Sequence, residues 1–278
     1  MGGLGDSLLV YPVLEILKKR GYHLTVWGNS EYFSLAKIAG FCNKVTFYEP
    51  KEHFDLRIIF SADRETFSSS DKTIFVDPFV REKIWIIDYY LKSLNLEGEE
   101  FSKILNIGIK TKKNSSLCII HPGSGSKKKN PEIDFFLELD KILKKMGFNT
   151  LYIIGPAEER QGNFFIKSLF VNNVLDLAKN LLKASLYIGL DSGVSHLSSY
   201  LGVPSVVIFG PTDPVIWHPI GENLFVIRDN SCLPCFPSIC KELKCLDKKF
   251  LIYEIERLLC KNIKKLKVSK AQVMGMKD

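Results

Sequence analysis

Nowhere in this chain of 278 residues do apolar residues run on uninterrupted for the roughly 18 positions that a membrane-spanning helix requires. The opening, Met1-Gly2-Gly3-Leu4-Gly5-Asp6, has neither the basic start nor the long apolar stretch of a secretory leader, so a cytoplasmic location is the expectation. Internal repeats and low-complexity tracts are absent. So is any nucleic-acid recognition signature, and the basic residues lack interleaved aromatics, which argues against a nucleic-acid partner. What is there is ordinary for a globular chain with a real core: 46% hydrophobic, 12% aromatic and 25% charged residues. The length allows one large domain or two modest ones.

The net charge of +7 is unevenly placed, because six lysines between Lys261 and Asp278 supply +5 of it. Such a tail can hold a protein peripherally at an anionic membrane, each lysine adding on the order of 1 kcal/mol near the surface. It can equally be a solvated end. Of seven cysteines, Cys42, Cys118 and Cys260 are scattered and read as buried apolar fillers. Cys232, Cys235, Cys240 and Cys245 follow a C-x2-C-x4-C-x4-C spacing that fits a structural zinc or an iron–sulfur cluster, or else reduced thiols packing a loop. Stable disulfides do not suit a reducing compartment.

Hydrophobic patterning divides the chain in two. Residues 1–112 read as a short first lobe. A helical stripe from Leu8 to Leu17 closes on Lys18-Lys19-Arg20-Gly21, with Pro12 expected to kink it or mark its true start. Strands at 24–27, 44–48 and 56–60 and helices at 31–38 and 84–94 follow, suggesting a parallel sheet with helices on both faces. The polar stretch Lys110–Ser116 reads as a linker. Residues 117–260 form a cleaner alternation: strands at 117–120, 151–154, 186–190 and 206–209, with helices at 131–146, 158–169 and 194–201. Residues 261–278 are the basic tail. The fold class is therefore α/β.

In open parallel sheets, ligands bind beyond the carboxyl ends of the strands. Three such ends are polar or glycine-rich here: His121-Pro122-Gly123-Ser124-Gly125-Ser126, Gly155-Pro156-Ala157-Glu158, and Asp191-Ser192-Gly193-Val194-Ser195-His196. In the first, small residues expose amides and Lys127-Lys128-Lys129 adds positive charge, which suits phosphate; the plainer reading is a surface loop. In the third, Asp191 can accept from sugar hydroxyls while the helix N-terminus at Gly193 faces a diphosphate, or Asp191 or Ser192 simply caps that helix. Glu158 can accept from a ribose diol or serve its own helix turn. Asp6 can be a general base or a cap of the first helix. His196 by itself reads as a packed histidine.

Taken together, these segments resemble glycosyltransferase family 9, the lipopolysaccharide heptosyltransferases. The likeness lies in the His121–Ser126 loop with its lysines and Pro131, in Ile153–Glu158, and in Asp191–Leu197 with Leu201-Gly202-Val203-Pro204 and Phe209-Gly210-Pro211-Thr212. Gly3-Leu4-Gly5-Asp6-Ser7-Leu8-Leu9 also looks like the family's opening motif. The resemblance implies a GT-B architecture, two Rossmann-like lobes facing a cleft, with a helix near the C-terminus crossing back. It implies Asp6 as catalytic base, Ser124 and Lys128 on donor phosphate and sugar, Glu158 on the ribose, and Asp191 and Gly193, with His196 in the same block, at the donor sugar and diphosphate. Three departures are plain: the family's glycine turn follows a strand whereas here it opens the chain, the first lobe is short, and Asn130 stands where an aromatic is common.

The expected activity is inverting transfer of a sugar, heptose from ADP-heptose, to a lipopolysaccharide core or related lipid-linked acceptor. No Asp-x-Asp motif occurs in the donor loops, so no cofactor is expected for transfer. The competing readings are a non-catalytic nucleotide-sugar-binding protein with a reduced acceptor lobe, and another GT-B enzyme such as a nucleotide-sugar epimerase.

Overall fold

The computed structural model describes residues 2–65, 72–80, 82–161, 168–235 and 243–262. The chain divides into two compact units, Met1–Ser102 with Val215–Trp217, and Lys103–Pro214 with His218–Asp278.

In the first unit, helix α1 (Leu4–Lys19) buries Leu8, Leu9, Tyr11, Val13 and Ile16. Pro12 lies inside it and does not mark its start. An interior proline forfeits one backbone bond and costs about 3 kcal/mol or more, but it is flanked by fully packed side chains that hold the helix in place. The strands β1 (Thr25–Trp27) and β2 (Lys44–Thr46) pair in parallel, as do β3 (Arg57–Phe60) and β4 (Thr73–Val76). The single sheet expected for this half is instead two separate two-stranded sheets among the described residues. Helices α2 (Ser30–Ile38) and α3 (Ile86–Ser93) both pack on α1. Buried Glu15 is matched by the backbone N–H and hydroxyl of Ser102 and by Lys19.

The second unit is built on β5 (Leu117–His121), β6 (Asn149–Ile154), β7 (Ser168–Phe170), β8 (Leu186–Leu190), β9 (Ser205–Phe209) and β10 (Leu224–Arg228). They form one six-stranded sheet in the order β10-β9-β8-β5-β6-β7, parallel throughout. Every residue of β8 and β9 is buried, the signature of strands covered on both faces. Helices α4 (Ile133–Lys145) and α9 (Lys248–Asn262) share one core with the sheet. The remaining helices of this unit are α5 (Pro156–Gln161), α6 (Val174–Leu181) and α7 (Gly193–Tyr200), of which α7 packs on β8 and β9; the short α8 (Pro214–Trp217) falls, apart from Pro214, in the first unit. Gly147, with φ +85°, ends α4 and lets the Phe148 N–H return to the Leu143 carbonyl at 2.9 Å.

Three expectations are corrected here. A helix is expected from Glu158 to Leu169; α5 is described over Pro156–Gln161, and Ser168–Phe170 instead pairs with Tyr152–Ile154 as an edge strand. The strands expected for this half end with Val206–Phe209, but a further strand, β10, pairs beside it. Cys42 and Cys118 are buried as expected, but Cys260 is exposed, because α9 buries the stripe Leu251, Ile252, Ile255 and Leu259 instead. Apart from Lys261, the lysines of the basic tail lie outside the described residues. No described helix is long and apolar enough to cross a membrane.

The α4 packing is directly testable. Leu139 is fully buried and Leu137, two residues earlier, is 43% exposed. Leu139→Ala should cost about 2–5 kcal/mol of stability, and Leu137→Ala should stay within about 0.5 kcal/mol. Urea unfolding followed by circular dichroism reads both, and equal losses would contradict this orientation of the helix.

Candidate functional site

The strand order of the second unit creates the site. From β5 the chain moves outward through β6 and β7, then returns to place β8 on the other side of β5. The loops leaving β5 and β8 consequently diverge, opening a crevice at their carboxyl ends. The register sets His121 opposite Gly189, so the segments beginning at His121 and Asp191 flank this crevice.

Asp191 is 8% exposed and has a defined set of partners. Its Oδ2 accepts from the Lys129 ammonium, and from the Thr212 hydroxyl at 2.7 Å. His196 Nε2 lies 4.0 Å from its Oδ1. Directly after it, Ser192 is the N-cap of α7, its Oγ accepting from the Ser195 N–H, so the cap is Ser192 and not Asp191. The first bond into this turn is His196 N–H to the Ser192 carbonyl, which leaves the amides of Gly193 and Val194 ahead of the helical ladder. A carboxylate, an ammonium, a hydroxyl and a helix N-terminus thus converge where an anionic, hydroxyl-rich ligand can be held.

Of the three consecutive lysines, the short 3₁₀ turn Lys127–Lys129 directs Lys129 to Asp191, while Lys128 is exposed. Ser124 is buried, with its hydroxyl 2.9 Å from the Ser126 carbonyl and 2.6 Å from Asn130 Oδ1, bracing the loop from within. Glu158 is also turned inward at 3% exposure: its Oε2 accepts from the Gly155 N–H at 2.9 Å and lies 3.4 Å from His121 Nε2. Asp6 occupies the first turn of α1, exposed, and accepts the Gly3 N–H at 2.8 Å, so Gly3 is the N-cap and Asp6 braces it from inside the helix.

The sequence offers Lys129, Thr212 and His121 only within longer stretches, and only folding shows that Lys129 and the Thr212 hydroxyl meet Asp191 and that His121 lies beside Glu158.

The cysteine loop receives no support as a metal centre. Among the described residues no group of three or more His, Cys, Asp or Glu side chains could hold an ion. Cys245 is 1% exposed within the apolar core, and Cys232 packs against the same core. Cys240 lies outside the described residues.

Burial alone would raise the Glu158 pKa. The hydrogen bond and charge of His121 and the Gly155 N–H outweigh it, and the net value falls below the ordinary 4.5. A carboxylate so depressed stabilises the fold fully above its unfolded pKa, and that contribution is lost as pH falls through the lower folded value. Glu158→Gln should therefore be less stable at neutral pH and lose less stability on acidification. Urea titrations between neutrality and the carboxylate range test this, and an acid-side slope matching that of the parent protein would refute it.

Residues 92–246 match the model of glycosyltransferase family 9 (heptosyltransferase). Lipopolysaccharide heptosyltransferase 1 of Pseudomonas aeruginosa is 26% identical over 132 residues, which are 45% of this chain and 37% of that protein. The chain thus spans little more than a third of that curated relative's length. A family 9 glycosyltransferase from Veillonella parvula shares the fold with a TM-score of 0.69 at 16% identity, over 94% of this chain and 95% of that one. The E. coli heptosyltransferase WaaC, solved with ADP, does so with a TM-score of 0.66 at 17% identity, over 92% and 97%. Identities this low speak for the fold alone, which is of the two-lobed GT-B type. The family model, in contrast, covers more than half of the chain and takes in the ends of β5, β6 and β8, and on that ground the chain belongs to glycosyltransferase family 9, the heptosyltransferase family.

Proposed function

We propose that this protein is an inverting glycosyltransferase that moves heptose from ADP-heptose to a lipopolysaccharide core or related lipid-linked glycan acceptor. The observation that carries the reading is the convergence of Asp191, Lys129, Thr212 and the α7 N-terminus at the crevice between β5 and β8. Family membership supports it, as do the name of the Pseudomonas relative and the ADP in the WaaC structure.

In this reading the amides of Gly193 and Val194 face the donor diphosphate, and Asp191 accepts from donor sugar hydroxyls. Lys129, released from Asp191 or shared with it, joins Lys128 in offsetting the charge that grows on the departing diphosphate. Asp6 takes the proton from the acceptor hydroxyl as its oxygen attacks the anomeric carbon. The bond to the diphosphate breaks on the opposite face, so ADP leaves with the electron pair and the configuration inverts.

Binding and chemistry separate by variant. Bonds to charged groups contribute about 1.5–3 kcal/mol, so Lys129→Ala and Asp191→Ala should each weaken ADP-heptose binding at least about tenfold in calorimetry. Asp6→Asn should bind donor like the parent protein yet transfer about 10²–10⁴-fold more slowly, the usual contribution of a general base. Equal donor affinity in all three variants would overturn the donor assignment, and unimpaired transfer by Asp6→Asn would overturn the base.

A further inference from the structure

Behind the crevice runs a chain of buried polar contacts that the proposed reaction does not use. His121, 3% exposed, places Nε2 3.4 Å from Glu158 Oε2 and Nδ1 3.3 Å from Ser192 Oγ. Ser192 Oγ accepts the Ser195 N–H at 3.4 Å. Ser195, fully buried, lies 2.9 Å from the Tyr187 hydroxyl and donates to the Leu190 carbonyl.

The donors and acceptors can be ordered. Glu158, held in its charged form, only accepts, so His121 carries its proton on Nε2. Nδ1 is left for the Ser192 hydroxyl. The lone pairs of Ser192 remain for the Ser195 N–H. The Ser195 proton goes to Leu190, and Tyr187, kept protonated by burial, donates to Ser195. Two glycines make room for this chain. A Cβ at Gly123 would stand 2.0 Å from Glu158 Oε1, and one at Gly189 would stand 2.2 Å from the Tyr187 hydroxyl.

We propose that His121 is a positioning residue for the donor. By bonding Glu158 through one ring nitrogen and Ser192 through the other, it sets the α7 N-terminus against the diphosphate and Asp191 toward the donor sugar. A merely packed histidine would contribute to stability alone. The ring instead grips the cap of the very helix whose first amides lie ahead of the helical ladder, so the Ser192 contact matters for binding and the Glu158 contact for orienting the ring. This rests on the donor site being at α7, as proposed above.

Substitutions of different reach separate the two contacts. In His121→Asn the amide oxygen falls near the Nδ1 position and can still accept from Ser192. In His121→Gln the amide reaches the Nε2 position and can still donate to Glu158, but the Ser192 contact is lost. With ADP as the probe in calorimetry, His121→Asn should stay within about threefold of the parent Kd, and His121→Gln should weaken binding about tenfold, with donor KM rising more than kcat falls; a bond of about 1.4 kcal/mol corresponds to a tenfold change. Urea unfolding of the same variants supplies the stability readout.

Ser192→Gly guards against a His121 variant that fails to fold, because glycine is an acceptable N-cap. It should weaken ADP binding as much as His121→Gln does, and the double variant should be no worse than either single one. Equal ADP affinity in His121→Asn and His121→Gln, or losses that simply follow stability, would overturn the inference. So would parent-like ADP binding by Ser192→Gly when Lys129→Ala binds poorly. If Lys129→Ala binds ADP normally, or the parent protein does not bind it, the donor reading fails, and this inference with it.

Discussion

The parallel pairing of β5 with β8 is the constraint on which the rest of the second unit turns. Once Cys118–His121 lies beside Leu186–Gly189, the loops that leave these strands must diverge, because their onward connections run to opposite halves of the sheet. That divergence is what allows Lys129, from after β5, to meet Asp191, from the end of β8, across 62 positions of sequence. The pairing also exposes the first amides of α7 at the same place. A shift of one residue along either strand would turn every side chain to the other face, burying what now lines the crevice.

The same pairing makes the polar residues below the crevice costly unless they satisfy one another. His121, Glu158, Ser195 and Tyr187 are all buried, and buried polar groups without partners cost about 1–3 kcal/mol each. They are tolerated because each finds a partner on another element: His121 with Glu158 and Ser192, Ser195 with Tyr187. Gly123 and Gly189 are part of this arrangement, since any side chain at either position would occupy the space of the network. The α7 N-terminus is thereby braced from beneath, through the cap Ser192.

Much of this could be read from the amino acids. The β5, β6, β8 and β9 strands and the α4 and α7 helices are announced by apolar runs and helical periodicity, and their polar ends follow from the glycines and small residues after each strand. What could not be read depends on non-local pairing. Ser168–Phe170 is too short for its own pattern to distinguish strand from helix, and only its ladder with Tyr152–Ile154 settles it. In the first unit the strands are as short as three residues, and whether they join one sheet or two is likewise a matter of partners.

By itself, then, the sequence determined the α/β alternation, the loops at which chemistry gathers and the family to which they are similar, because hydrophobic period, glycine placement and motif order are local properties of the chain. Which of three adjacent lysines meets Asp191, whether Asp191 or Ser192 caps α7, and which way Glu158 turns were decided only by the tertiary structure. Each of those outcomes depends on a partner that sequence distance conceals: the turn that aims Lys129, the Ser195 amide above Ser192, and the His121 ring beside Glu158. The elements of the site are therefore written in the chain, and their roles are assigned by what folding places next to them.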